Sequence, residues 1–243
     1  MSAVAAAVSA EDVWKTFGQA HALRGVSLLV PPGAAVAILG PNGSGKSTLL
    51  GVLAAVVRPS RGRVRIGGED PFAEPAARGQ IGLVAHEPML YGRLSAVENL
   101  RFFASLYGLR APLSRAEEAC DLVGLWRRHD PIDRLSRGLQ QRAALARAIV
   151  HSPAVLLLDE PLTGLDPEAR DRLRALLRTF RARGGAVIMT THSPSEACAI
   201  ADIGHILAAG RLGEPRRLDG LGADALQAWY LAGLPHGAHA AVP

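Results

Sequence analysis

Four aliphatic residues, Val36 to Leu39, run directly into Gly40-Pro41-Asn42-Gly43-Ser44-Gly45-Lys46-Ser47. An apolar strand that breaks into a G-x-x-x-x-G-K-[ST] loop and then turns into a helix leaves few folds open. The glycines let successive backbone N–H groups close around phosphate oxygens, and the positive end of the next helix stands behind them. The predicted cradle comprises Gly40, Pro41, Asn42, Gly43, Ser44, Gly45, Lys46, Ser47 and Thr48. Lys46 is one of two lysines among 27 basic side chains, so lysine here is no habit of composition. A point charge on a flexible stem suits bound β- and γ-phosphates.

The rest of the chain must then supply a sheet, its helical cover and a use for the phosphate. At 243 residues it can bury one substantial core with a subdomain attached. Hydrophobic content of 49% with 20% charged residues fits a folded soluble protein. No stretch nears the 18 uncharged apolar residues of a membrane span, and Met1 to Ala10 lacks the basic start of a signal peptide. Cys120 and Cys198 read as ordinary helix residues in a reducing compartment. The net charge of +5 comes from dispersed arginines with no basic run or aromatic-and-basic stripe, so no nucleic-acid partner is expected.

Periodicity sets the order of elements. Glu11 to Val30 and Arg63 to Ile66 read as strands of an antiparallel layer, and Ser47 to Val57 as a helix. Ile81 to Ala85 reads as a buried strand. From about Ser95 to Arg134 the pattern turns helical: Val97, Leu100, Phe103, Ala104 and Tyr107 recur at helical spacing, and Ser114 can cap a helix to Leu122. A helix over 140–150, a strand at Val155 to Leu158, a helix through Leu173, Leu176, Leu177 and Phe180, and a strand at Ala186 to Thr190 complete the core. Strands alternating with helices predict an α/β protein with a mainly parallel sheet covered on both faces. A short helix over 225–231 and a frayed polar tail are expected to close the chain.

Val155 to Leu158 delivers two carboxylates, Asp159 and Glu160, at a strand end. Ligands of such sheets sit beyond the carboxyl ends of the strands. Asp159 and Ser47 are placed to serve one magnesium ion, and Glu160 to polarise an attacking water.

The phosphate loop, Leu135-Ser136-Arg137-Gly138-Leu139-Gln140-Gln141-Arg142, Asp159-Glu160, Leu162-Thr163-Gly164-Leu165-Asp166 and Thr191-His192 together resemble the nucleotide-binding subunit of an ATP-binding cassette (ABC) transporter. The resemblance covers about residues 11 to 215. It implies a P-loop NTPase fold of ABC type over 11–220, with an antiparallel β subdomain and a helical insert at about 93–135. It also implies hydrolysis of ATP with Mg2+ by two cassettes, identical or not, closed head to tail under integral membrane permease subunits. The assembly would sit on the cytoplasmic face of the inner membrane. Ser136 and Gly138 would meet the γ-phosphate held by the partner's phosphate loop. Asp166 would lie across the dimer interface, and His192 would hold Glu160 and the water in line. Phe17 matches the family's adenine-stacking aromatic, with Trp14 as the fallback. Arg137 stands where the family has glycine, and Leu139 where it usually has glutamine.

After Ala85 the family carries a glutamine that senses magnesium and water; this chain has His86 and then Glu87. Histidine can donate or accept one hydrogen bond, so His86 is a workable sensor, with Glu87 an alternative contact to magnesium. Ala85-His86-Glu87-Pro88, the Leu94 to Phe102 segment and the Ser-Arg-Gly-Leu-Gln-Gln-Arg run also resemble the ATPase of the heme exporter of cytochrome c maturation. Exporters of drugs, polysaccharides or lipids share much of this pattern. A small-molecule kinase has no use for Ser136, Asp166 or His192. A ribosome- or nucleic-acid-directed cassette usually carries two phosphate loops, where one stands here.

Overall fold

The computed structural model describes residues 6–234. The chain opens on β1 (Val8–Phe17) and β2 (Ala20–Val30), paired antiparallel with Val8 opposite Val30. The first strand begins before the expected Glu11, because Val8 and Ala10 are buried and pair on both sides of the strand. After β3 (Ala35–Leu39) and α1 (Lys46–Leu53), β4 (Arg61–Ile66) returns to β1 and completes a three-stranded antiparallel sheet.

The helix after the phosphate loop stops at Leu53, short of the expected Val57. Ala55 turns left-handed at φ 58°, and the amides of Val56 and Val57 both donate to Gly51 O, at 2.9 and 3.0 Å. Glycine normally marks such a helix end, and alanine there hides it.

A four-residue helix α2 (Pro75–Arg78) leads to β5 (Ile81–Val84), and then the chain leaves the sheet for α3 (Ala96–Leu106) and α4 (Pro112–Leu122). The Ser95 hydroxyl accepts from Glu98 N while the Glu98 carboxylate accepts from Ser95 N, a reciprocal cap that starts α3. The second helix starts at Pro112 behind Ala111 rather than at Ser114, since proline pre-sets the first-turn dihedral and gives up an amide that has no partner there.

A 3-10 turn (Ile132–Arg134) precedes α5 (Arg137–Ile149), β6 (Val155–Asp159), α6 (Pro167–Ala182), β7 (Ala186–Thr191), α7 (Pro194–Ile200) and β8 (Ile203–Ala208). Two short strands, β9 (Arg211–Leu212) and β10 (Arg216–Arg217), and α8 (Ala223–Ala232) end the described chain. The expected tail beyond this helix falls largely outside the described residues.

The core sheet runs β10-β8-β3-β7-β6-β5, parallel throughout except for β10. Period-two alternation divides its side chains between two cores. Val36, Ile38, Val155, Leu157, Ala186 and Ile188 face α1 and the antiparallel sheet. Ala35, Ala37, Leu39, Leu156, Leu158 and Met189 face the other way, toward α5, α6 and the helical insert. The result is a mixed α/β fold with a parallel core sheet, an antiparallel sheet and a helical subdomain.

Candidate functional site

β3, β7 and β6 are adjacent and parallel, so Leu39, Thr191 and Asp159 end at one edge of the sheet. The phosphate loop leaves β3 there. Gly40 admits no side chain, because a Cβ would lie 2.2 Å from Leu207 O. Gly45 sits at φ 107°, and its Cβ would lie 2.5 Å from Ala22 O. The loop therefore packs its backbone closely against neighbouring carbonyls, an approach open only because both positions are glycine. Ser44 Oγ is buried with no hydrogen-bond partner among the described residues. A buried donor without a partner beside a turn of left-handed glycines fits a phosphate oxygen.

Lys46 opens α1 and is 7% exposed, with Nζ donating to Gly40 O at 2.8 Å and Pro41 O at 3.0 Å. Burial pushes its pKa below the usual lysine value, against the pull of Glu160 and Asp159. Both carboxylates thus lie close enough to act on the ammonium. Ser47 is exposed and Thr48 half-buried on the first turn of the helix.

Asp159 is buried at the end of β6 and accepts a hydrogen bond from Thr190 Oγ1 of β7, its register partner. Glu160 adopts φ 47°, a left-handed conformation that costs a side-chain-bearing residue about 1–3 kcal/mol. Its amide is tied to Thr190 O at 3.1 Å and Thr190 Oγ1 at 3.2 Å, which holds the turn. Glu160 Oε1 then faces His192 Nδ1 at 3.2 Å, and Thr163 Oγ1 lies 3.5 Å from Oε2. The structure brings Lys46, Asp159, Glu160 and His192 together. Thr190, which holds Asp159 and the Glu160 amide, carries no motif of its own and sequence reasoning misses it, while Thr163 lies in the Leu162 to Asp166 motif without an assigned role there.

A small groove of about 90 Å³ joins His86 to Asp159 and Glu160, with Arg137 and Gln141 of α5 on its far wall. Glu87 is exposed and does not line it. Ser136 caps α5, its Oγ accepting from Leu139 N at 3.4 Å, and Gly138 in the first turn is half-buried with nothing but Gly164 O within 4 Å of an added Cβ. Asp166 caps α6 through Ala169 N at 2.8 Å and lies 3.6 Å from Arg142 of α5. Phe17 ends β1 at 52% exposure, with Lys15 Nζ 4.8 Å from its ring centroid. Trp14 is engaged elsewhere, its indole donating to Asp12 at 2.8 Å.

Among the described residues no three His, Cys, Asp or Glu side chains gather as a metal cluster. Magnesium asks for less, since it keeps several waters and takes one or two protein oxygens beside substrate phosphates. Asp159 and Ser47, at the sheet edge and on the first turn of α1, fit that demand. No helix of the described residues is long and apolar enough to cross a membrane.

The family model for ABC transporters matches residues 23–163. The Fe(3+) ions import ATP-binding protein FbpC of Agrobacterium fabrum is 40% identical over 215 residues, 86% of this chain and 61% of that protein. The chain thus spans about three fifths of the length of that relative. The aliphatic sulfonates import ATP-binding protein SsuB of Pseudomonas entomophila is 44% identical over 197 residues, 80% of this chain and 70% of that protein. Neither relative is named for heme export. Among solved structures, the dimeric post-hydrolysis state of the ATP-binding cassette MJ0796, bound to ADP and Pi, matches with a TM-score of 0.80 at 28% identity, over 88% of this chain and 100% of that one. The phosphate loop, the two carboxylates, the histidine and these likenesses agree, and the chain belongs to the ABC transporter family.

Proposed function

We propose that this chain is the ATP-hydrolysing subunit of an ABC transport complex, working as half of a head-to-tail pair on the cytoplasmic face of a membrane beneath separate permease subunits. The observation that carries the reading is the meeting of Glu160 Oε1 with His192 Nδ1 at 3.2 Å, beside a phosphate loop whose lysine feels both Asp159 and Glu160. Lys46 and the loop amides bind the β- and γ-phosphates. Glu160 polarises the attacking water, and His192 holds Glu160 and the γ-phosphate in line. Asp159 and Ser47 would hold Mg2+, which when bound neutralises charge developing on the phosphate oxygens. Phe17 stacks on the adenine, a contact worth about 1–3 kcal/mol. Ser136 and Gly138 close over the partner's γ-phosphate, and Asp166 spans the pair. We assign the sensor role to His86 rather than Glu87, supported by the groove it shares with both carboxylates.

Replacing Glu160 with glutamine should leave ATP bound while cutting turnover by about 10²-fold or more. Full steady-state ATPase in that variant, measured on purified protein, would remove Glu160 from its role.

For the cargo, Ala85-His86-Glu87-Pro88 and the Leu94 to Phe102 segment favour export of the heme-exporter type. The printed names of the relatives favour import of iron(III) or sulfonate instead. A host lacking its own heme-exporter ATPase separates them. Restored c-type cytochromes support export, and restored uptake of Fe(3+) or sulfonate in the corresponding import mutant supports import.

A further inference from the structure

β5 is the outer strand of the core sheet, bonded to β6 on one side only. An edge strand leaves alternate carbonyls facing away from the sheet, and these need partners. Two side chains meet them, one from the last turns of α5 and one from the turn that follows it. Arg147 Nη2 donates to Leu83 O at 2.7 Å, and His151 Nε2 lies 3.1 Å from Ile81 O. A carbonyl can only accept, so His151 is the donor and carries its proton on Nε2. Between these two contacts, Gly82 lets the helix end approach, for a Cβ there would lie 2.2 Å from Ala148 O.

The helical subdomain grips the same two side chains. Tyr107, at the end of α3, lies flat on His151 with ring centroids 3.9 Å apart and planes within 4°. The Arg147 guanidinium stands 5.4 Å from the Phe103 ring centroid. Phe103 in turn meets Phe102 edge-on at 5.5 Å, and Phe102 meets the exposed Tyr91 in the same way. Contacts therefore run unbroken from an exposed aromatic surface, through α3, to the strand that ends one residue before Ala85 and two before His86.

We propose that Tyr107, Arg147 and His151 are positioning residues that pin the helical subdomain to the edge of β5 and so hold the Ala85 to Pro88 loop with His86 facing Asp159 and Glu160. This rests on the ATPase reading above. A four-residue edge strand has one neighbour to define its path, and the loop inherits whatever freedom the strand end keeps. The two side-chain caps remove that freedom. The stacked tyrosine makes the caps conditional on where α3 sits, so a shift of the subdomain reaches His86 without any contact to the nucleotide.

The test uses the purified chain with Tyr107→Leu, His151→Leu and the conservative Tyr107→Phe. ATPase turnover, equilibrium binding of a fluorescent ATP analogue and hydrogen exchange of the amides at 84–87 are read for each. The two leucine variants should lower kcat by about 2- to 10-fold, the range an aromatic pair supplies, leave nucleotide affinity unchanged and speed exchange in the loop. Tyr107→Phe keeps a ring and should match the wild type. Unchanged kcat and exchange in both leucine variants would overturn the proposal. So would a joint loss of kcat, affinity and melting temperature that Tyr107→Phe shares, since that is the mark of a merely structural contact. Should the wild type hydrolyse no ATP, the ATPase reading falls, and the exchange arm alone decides whether the junction holds the loop.

Discussion

Burial acts on two single side chains in ways that solution experiments can read. It pushes Lys46 down, the opposite charges of Glu160 and Asp159 pull the other way, and the ammonium donates to Gly40 O and Pro41 O. Lys46→Ala should weaken ATP binding itself, by about 1.5–3 kcal/mol per charged hydrogen bond lost, and titration with a fluorescent ATP analogue reads it. The same force acts on His151, where no opposite charge pulls against it. Burial lowers its pKa from 6.5 to about 4, donation to Ile81 O works against that shift, and the Arg147 charge adds to it. Between those two values the unfolded chain binds more protons at this ring than the folded one. Stability from the neutral ring is complete above pH 6.5 and is lost as pH falls toward 4, by up to about 3 kcal/mol. His205 is also pushed down by burial and adds to the slope. Urea melts from pH 7 to pH 4 should therefore be steeper in pH for the wild type than for His151→Leu. Parallel curves would show that folding does not shift the titration of this ring.

At the scale of elements, the cap of α3 carries a simple prediction. Ser95 is buried, its hydroxyl both accepts from Glu98 N and donates to the Glu98 carboxylate, and its carbonyl accepts from Asn99 Nδ2 at 2.9 Å. Ser95→Ala should cost about 1 kcal/mol in chemical denaturation and leave nucleotide affinity alone. A cap is a local event, and Ser-x-x-Glu states it within one turn of the sequence. The same holds for the phosphate loop, the Asp159-Glu160 strand end and the 3.6-residue pattern of α6, each readable within one turn or one strand. What stayed hidden depends on neighbours far along the chain. The left-handed Ala55 that ends α1 early is held by packing rather than by glycine. Thr190 gained its role only when β7 came to lie beside β6 with Thr190 opposite Asp159. The stack of Tyr107 on His151 joins residues from two subdomains, and neither residue advertises the other.

In the proposed head-to-tail pair, the whole molecule would contribute half of each of two nucleotide sites. The phosphate loop, Glu160 and His192 lie at one sheet edge, while Ser136 and Asp166 cap two helices with their side chains largely open to solvent. An exposed hydroxyl and the free amides of a helix start gain little from water that a phosphate would not supply better. In that proposed pair, ATP held in one chain would offer that phosphate to a second, and two such contacts would form at once by symmetry. Hydrolysis would remove the shared γ-phosphate and with it the reason to stay closed. The Glu160→Gln protein should therefore run as a dimer by light scattering with ATP and magnesium, and as a monomer with ADP. Adding Ser136→Ala should shift the ATP-bound population back toward monomer without changing binding to the monomer's own phosphate loop. A Glu160→Gln protein that stays monomeric at saturating ATP would mean that nucleotide alone cannot close the pair, and that permease subunits must raise the effective concentration of one cassette near the other.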